Sequence, residues 1–263
     1  MVSRTRLREQ ATLAALAALV LAALWHVRFF EANWPRAFHN LWRFLGDATP
    51  EAIDPDFAAA VGVALLETLE IAFLGTVLAA VVALPLSVFA SRTFGGPAAS
   101  LALRGVLSFL RTVPSFVWAI VFIAMVGLGP LPGALAVTLY SIGYLSKLYT
   151  EILEGVNPEI VEALSAAGVS RWRIAQHAAI PESTHLLLSQ TLFVFEYNVR
   201  ASTIVGLVGG GGIGFLMARA FDLYRYDLLM VALLFLLVLV VAVEFLGGRL
   251  RKTYLPEPVA VPA

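Results

Sequence analysis

Six stretches of the chain are apolar for long enough to fill a bilayer's hydrocarbon core, which takes about 20 helical residues for ~30 Å. They are Ala11–Val27, Ala64–Ala90, Val113–Leu128, Leu131–Leu148, His185–Val208 and Leu228–Leu246. One long break interrupts them: Asn157–Glu182, NPEIVEALSAAGVSRWRIAQHAAIPE, is a polar stretch of about 26 residues whose apolar positions recur at helical spacing. Ile160, Leu164 and Ala167 share one face against Glu159 and Glu162, and further on Trp172, Ala175 and Ala179 oppose Arg173, Gln176 and His177. Gly168 permits a left-handed turn between the two halves, Ser170 is placed to cap the second, and Pro181 closes the unit before the next apolar run. The pattern predicts an all-α membrane protein with about six transmembrane helices, and two short amphipathic helices that face water.

Composition supports that class. With 60% hydrophobic and 14% charged residues in 263, and a mean hydropathy of +0.85, the chain has more apolar surface than a soluble core can bury. No linker or repeat divides it, so it reads as a single transmembrane domain over 1–263. Its core spans about 60–250, the wet loop 157–182, and residues 1–60 an N-terminal helix and an outer segment. Trp25, Trp34 and Trp42 give that segment an interfacial character. Formal net charge is zero and no basic tail is interleaved with aromatics, which argues against nucleic acid as a partner. The absence of cysteine excludes disulfides, thiolate metal sites and a Cys nucleophile. Arg4, Arg6 and Arg8 before an apolar run fit a signal peptide, but Trp25-His26-Val27-Arg28 stands where cleavage needs small residues, so the run reads as a retained helix. Six spans place both termini on one side, and the segments on that side carry 12 of the 18 Lys and Arg. By the positive-inside rule, the termini and the Asn157–Glu182 loop are cytoplasmic.

On that placement the loop resembles a known signature. Glu162-Ala163-Leu164, Gly168 six residues after the glutamate and Ile180-Pro181 resemble the EAA loop of binding-protein-dependent ABC importer permeases. That signature runs EAA, three residues, G, nine residues, I, one residue, L-P. Glu162, Ala163, Gly168 and Pro181 match, while Leu164, Ala178 and Ile180 replace Ala, Ile and Leu. The resemblance implies coupling helices docked in a groove of an ATPase subunit, with Glu162, Ala163, Gly168, Arg171 and Pro181 as the coupling residues. Glu67-Thr68-Leu69-Glu70, Leu110-Arg111-Thr112-Val113-Pro114, Gly127-Leu128-Gly129-Pro130, Lys147-Leu148-Tyr149-Thr150-Glu151 and Glu196-Tyr197-Asn198-Val199-Arg200 through Gly209 look like the phosphonate-type permeases of these importers, across roughly residues 50–250. This further resemblance implies a methionine-permease-like fold, a bacterial inner membrane, a second permease copy as a homodimer and a periplasmic substrate-binding protein. It also implies ATP and Mg consumed by the partner ATPase, with no cofactor bound by this chain. The implied cargo is a phosphonate or a related phosphorus oxyanion. Importers of phosphite, phosphate, methionine or another small solute are the alternative, and an ATP-independent channel or a membrane enzyme is a rival of another class.

Glu196, Asn198 and Arg200 fall inside the fifth span, where an ionisable side chain costs from ~3 to over ~10 kcal/mol unless something offsets it. Two readings are open. Glu196 and Arg200, four apart, can pair on one helix face; alternatively, the three line the translocation pathway and the Arg200 fork helps an oxyanion across. Glu67 and Glu70 read as interfacial residues at the outer end of the second span, Arg104 and Arg111 as inner-edge anchors, and Glu244 as a headgroup-level partner of Arg249. His177 and His185 have no carboxylate at ligand spacing and are assigned no metal. Pro85 and Pro114 are kink sites. The run Gly209 to Gly214 formally satisfies G-x-G-x-x-G but lacks the strand-to-helix context of a nucleotide site. It reads instead as a flexible or re-entrant turn where backbones approach closely, with Gly209, Gly211, Gly212 and Gly214 in an outer gate. Neither Lys147 nor Lys252, the chain's lysines, follows a glycine, so there is no phosphate-cradling P-loop. No hydrolase elbow occurs either. The chain is therefore no enzyme, and its energy must come from another subunit.

Overall fold

A computed structural model describes residues 2–49 and 55–254. The chain forms two compact units, Met1–Asp47 and Ala48–Ala263. In the first, helix α1 (Val2–His26) leads through a 3-10 turn (Phe29–Glu31) into α2 (Trp34–Asp47). Arg28 takes a left-handed φ of 58° at the reversal, and the Trp34 indole donates to Phe29 O at 3.2 Å. In α2, Trp34, Phe38, Leu41, Trp42 and Leu45 share a face opposite Arg36, Asn40 and Arg43, a pattern suited to an interface. Helix starts again at Pro55, inside the stretch 1–60 expected to hold the N-terminal helix and outer segment; residues 50–54 lie outside the described residues.

The elements of the second unit, among its described residues, are all helices: α3 (Pro55–Ala90), α4 (Arg92–Gly95), α5 (Pro97–Thr112), α6 (Ser115–Val126), α7 (Pro130–Glu154), α8 (Pro158–Ala166), α9 (Arg171–Ile174), a π turn (Ala175–Ala179), α10 (Ile180–Leu207), α11 (Gly212–Asp222) and α12 (Tyr226–Tyr254). The bundle is built on α3 and α7, with α7 also packed on α5, α6 and α10. In lipid there is little hydrophobic drive between helices, so close backbone approach through small residues has to supply the packing. Along α3 the buried positions include Ala72, Gly75, Thr76, Ala79 and Ala83, and α7 buries Ala136 and Val137. A Cβ at Gly75 would lie 2.7 Å from Val137 Cγ1, too close to fit without a shift.

The count of six spans is not reproduced. Among the described residues, length and apolarity mark four membrane-crossing helices, Arg8–His26, Pro55–Ala90, Arg171–Asp222 and Tyr226–Thr253, or five if α5 and α6 are one broken span. The run Val113–Leu128 is only the second limb of that pair, which bends by 84°. Pro114 disfavours helix at Val113 and stands at the N-cap of α6. The first limb, α5, occupies the stretch between the expected spans Ala64–Ala90 and Val113–Leu128, and the Trp118 indole donates to its freed Leu110 carbonyl at 3.2 Å. The run Leu131–Leu148 falls within α7, long enough at 25 residues but diluted by tyrosines, serines and glycines. Those residues are admissible because α7 is packed among four other helices rather than surrounded by lipid. Pro85, by contrast, is accommodated inside α3 without ending it.

One polar node joins the three central helices. Asn198 of α10, fully buried, donates from Nδ2 to Thr76 Oγ1 of α3 and to Ser141 Oγ of α7, each at 2.9 Å, while the Ser141 hydroxyl lies 3.1 Å from Asn198 Oδ1. Asn198→Leu leaves the buried Ser141 hydroxyl without its partner and removes the bond that Thr76 Oγ1 accepts, while Thr76 still donates to Ala72 O; it is expected to destabilise the folded chain by about 1–3 kcal/mol. Thermal unfolding in detergent measures this; a melting curve unchanged from the parent contradicts it.

Candidate functional site

The polar loop hangs between α7 and α10. Asn157 caps α8, its side chain accepting from Glu159 N–H at 3.0 Å, and Pro158 opens the helix where no N–H partner is needed. The helix closes in a Schellman pattern: Gly168 N–H bonds Ser165 O at 3.0 Å and Val169 N–H bonds Leu164 O at 3.1 Å. This requires a left-handed residue, and Gly168 has φ +80°. The glycine hinge is therefore where the sequence places it.

The second half differs from expectation in three ways. Ser170 stands at the N-cap of α9, but its side chain makes no capping hydrogen bond. Pro181 does not close the unit: α9 passes through the π turn into α10 without a break. Ile180 N–H bonds Ala175 O, five residues back, and this wide turn lies directly ahead of a proline that brings no N–H of its own. The buried faces are also rotated. Ile174, Ala175 and Ala179 pack with Val88, Phe94 and Leu153, flanked by Val161, Leu164 and Val169, while Ile160 and Ala167 stay exposed. Trp172 stacks on Phe89 of α3 at 5.1 Å between centroids.

This packing turns Glu162, Ala163, Gly168, Arg171 and Pro181 outward, and all five are exposed. Beside them a groove of about 350 Å³ is lined by Leu164, Val169, Arg173, Ile174, His177 and Ala178. The loop's base is clamped by Glu154 at the end of α7. This carboxylate accepts Arg92 N–H at 2.6 Å and pairs with Arg104, whose Nε also donates to Ala90 O at 2.9 Å. Arg104 is thus a cross-link between α3, α5 and α7 rather than a simple edge anchor.

The three polar residues of the fifth span do not form one cluster. Glu196 and Arg200 are not paired with each other. Glu196, only 5% exposed, pairs with Arg251 of α12 at 3.0 Å, and Gly247 clears the space its carboxylate fills. Arg200 reaches Glu244 of α12 at 3.8 Å, with 46% of its side chain exposed, so Glu244 does not pair with Arg249, whose guanidinium lies over the Phe245 ring at 4.3 Å. Both pairs cross between helices that sequence spacing does not relate, and α12 supplies both partners. Asn198 is the buried node described above. A neighbouring feature escaped the sequence reading: Tyr140 and Tyr144 of α7 and Tyr197 of α10 stack with centroids 6.0–6.2 Å apart. The four-residue spacing of the first two was the only signal in the sequence.

The glycine run makes a turn between α10 and α11. Gly209, Gly211 and Gly212 have positive φ, Gly129 N–H bonds Gly209 O at 3.0 Å, and the carbonyl of Gly210 lies where a Cβ of Gly133 would be. Gly214 packs on Gly206 and the Thr203 carbonyl. Close backbone approach is what the glycines provide here. Glu67 belongs to this turn and is more than an interfacial residue. Its carboxylate accepts Gly212 N–H at 3.0 Å, and the Thr68 hydroxyl accepts Ile213 N–H at 2.8 Å. Together they satisfy the N-terminus of α11, where negative charge is favoured.

Removing Arg251 leaves the Glu196 carboxylate buried without a counter-ion. Arg251→Ala is therefore expected to cost about 3–5 kcal/mol, whereas Glu196→Gln combined with Arg251→Gln recovers most of the loss. Yield and thermal unfolding of the three proteins measure this, and equal stability of Arg251→Ala and parent contradicts it.

Comparison with known proteins bears on this arrangement. Residues 83–254 match the family model of the binding-protein-dependent transport system inner membrane component. The chain is 34% identical over 250 residues to the phosphite transport system permease protein PtxC of Stutzerimonas stutzeri, covering 94% of this chain and 90% of that protein. It is 33% identical to the phosphate-import permease protein PhnE of Mycolicibacterium smegmatis, across 76% of this chain and 38% of that one. A chain in the solved structure of inward facing conformations of the MetNI methionine ABC transporter superposes with a TM-score of 0.67 at 19% identity, covering 76% of this chain and 98% of that one, a likeness of fold. An all-helical bundle with apolar spans, an exposed amphipathic loop and this extent of similarity place the chain in one family: it is a member of the binding-protein-dependent transport system inner membrane components, a permease of a transporter family rather than an enzyme.

Proposed function

We propose that this permease moves a phosphorus oxyanion inward, driven by a separate ATPase that grips the Asn157–Glu182 loop. The observation that carries the reading is mechanical. The loop is continuous with α10 through the π turn and rests on α3, α4 and α7 through Ile174, Ala175 and Ala179. A force on its exposed Glu162, Ala163 and Arg171 therefore acts on the bundle core. ATP and Mg²⁺ belong to the partner subunit, since this chain lacks a P-loop. The cargo reading is supported by relatives named for phosphite and phosphate.

A second copy completes the pore in this account. Arg200 and Glu244 are 46% and 62% exposed within apolar helices, and lipid is the costliest surrounding for them. A water-filled path shared with a second copy resolves that, with Arg200 and the tyrosine stack lining it and Glu196 and Asn198 supporting from behind. The glycine turn, held by Glu67 and Thr68, then closes the outer end beneath a delivering binding protein. Both termini and the loop lie on the cytoplasmic side, in keeping with the distribution of Lys and Arg.

Uptake of labelled phosphite, phosphate, a phosphonate and methionine by cells expressing the complete importer tests the reading. A phosphorus oxyanion is expected to accumulate in an ATP-dependent way. Glu162→Lys and Gly168→Pro should lower uptake about 5- to 150-fold, the ordinary range of coupling energies, at unchanged membrane levels. Parental uptake in both variants contradicts the coupling role; uptake of methionine alone contradicts the cargo.

A further inference from the structure

One cavity bordered by charged side chains remains unused by the roles above. It lies between α5 and α7, at the end of the bundle nearest the loop, with a volume of about 240 Å³. Arg104, Ser108, Arg111, Lys147, Thr150 and Glu151 line it, with an apolar wall from Ala90, Leu107 and Gly143. Gly143 is the reason the two helices meet here: a Cβ would lie 2.7 Å from Leu107 O and 2.9 Å from Arg111 N, so only glycine lets the backbones touch. Lys147 is one turn further along the same face of α7, and this contact brings it and Arg111 to one cavity.

The charges do not balance. Arg104 is committed to Glu154, and Lys147 lies 3.4 Å from Glu151 on its own helix. Arg111 bonds a neutral group, Ser108 Oγ at 3.4 Å, and takes part in no ion pair among the described residues. Three cations thus meet two carboxylates, and the surplus is a guanidinium beside a hydroxyl. Because Ser108 Oγ accepts from Arg111, its own proton is free to be donated. A fork of N–H donors, an ammonium and a hydroxyl match the oxygens of a tetrahedral phosphorus oxyanion. A neutral solute would leave the surplus charge uncompensated in a partly apolar cavity.

We infer that Arg111, Lys147 and Ser108 form a binding site for a tetrahedral phosphorus oxyanion on the coupling-loop side of the bundle. The inference rests on the transport reading for the ligand's relevance, while the site itself is defined by the chain alone. The same chemistry is carried by a free ion and by the phosphate of an anionic lipid, and both are tested.

The full-length chain, purified in a phosphate-free, lipid-free maltoside detergent, is titrated with inorganic phosphate and its melting temperature followed. In parallel it is placed in nanodiscs of phosphatidylcholine with and without phosphatidylglycerol. Phosphate is expected to raise the melting temperature of the parent, with apparent affinity about tenfold or more weaker in Arg111→Gln and in Lys147→Gln. Arg111→Lys should fall between, and Arg219→Gln should match the parent. Stabilisation by phosphatidylglycerol but not by free phosphate, lost in Arg111→Gln, assigns the site to the lipid phosphate. Parental affinity in Arg111→Gln, or no response of the parent to either source, overturns the site. Each variant's melting temperature without phosphate separates lost binding from lost folding. Because no partner subunit is present, uptake that fails in the complete importer leaves this result standing, and a failed titration leaves the transport reading standing.

Discussion

The amide of Asn198 joins α3, α7 and α10 at one buried point, through hydrogen bonds to Thr76 and Ser141. Small residues let these helices approach, but apolar packing in a membrane distinguishes poorly between one register and the next. A side chain that must find two hydroxyls on two different helices does distinguish them. Above and below this node the same three helices bury Ile71, Ala136, Val137 and Val205 on one side and Ala79, Ala83, Leu145 and Leu187 on the other. The remaining elements are added to this frame: α5 against α7 at Gly143, α11 against α3 at Glu67 and Thr68, and α12 against α10 through the Glu196–Arg251 pair.

The consequence for function is mechanical. Two of the three helices fixed at Asn198, α7 and α10, carry the polar loop between them. A hinge at Gly168 alone would leave the second half of the loop free to swing, but the π turn welds it to α10. Ile174, Ala175 and Ala179 seat that half on Leu153 and Val88. Glu154 holds the other end through Arg92 and Arg104. The exposed residues of the loop therefore sit on a short lever whose two arms end in the same core.

What the sequence showed depends on how local each feature is. The loop's polarity and its glycine hinge follow from spacing over a few residues, and the helices stand where those signals fall; the expected Ser170 cap does not form, and Asn157 caps the first helix instead. The span count did not follow, because a run such as Val113–Leu128 looks the same in sequence whether it is a whole span or the second limb of a bent pair. In α7 tertiary burial replaced the apolar surface that a hydropathy count relies on. Among site residues, the spacing of Glu196 and Arg200 favoured a mutual pair, yet both found partners on α12, at Arg251 and Glu244. Long-range pairings of this kind leave no periodic trace. Glu67 illustrates the same limit: its charge near a helix end is visible, but the Gly212 N–H that it satisfies is 145 residues away.

The central claim is that the loop is the contact through which a partner's ATP-driven motion enters the bundle. Because the chain contains no cysteine, a single thiol can be placed without background. A cysteine in place of Ala163, exposed beside Glu162, can be treated with a short thiol-to-amine cross-linker in membranes holding the complete importer. The account predicts an adduct with the ATPase subunit whose yield changes when ATP is added, and none from a cysteine in place of Leu223, exposed beyond α11. No adduct from the Ala163 position in a transport-competent complex, or equal yield from both positions, would contradict it.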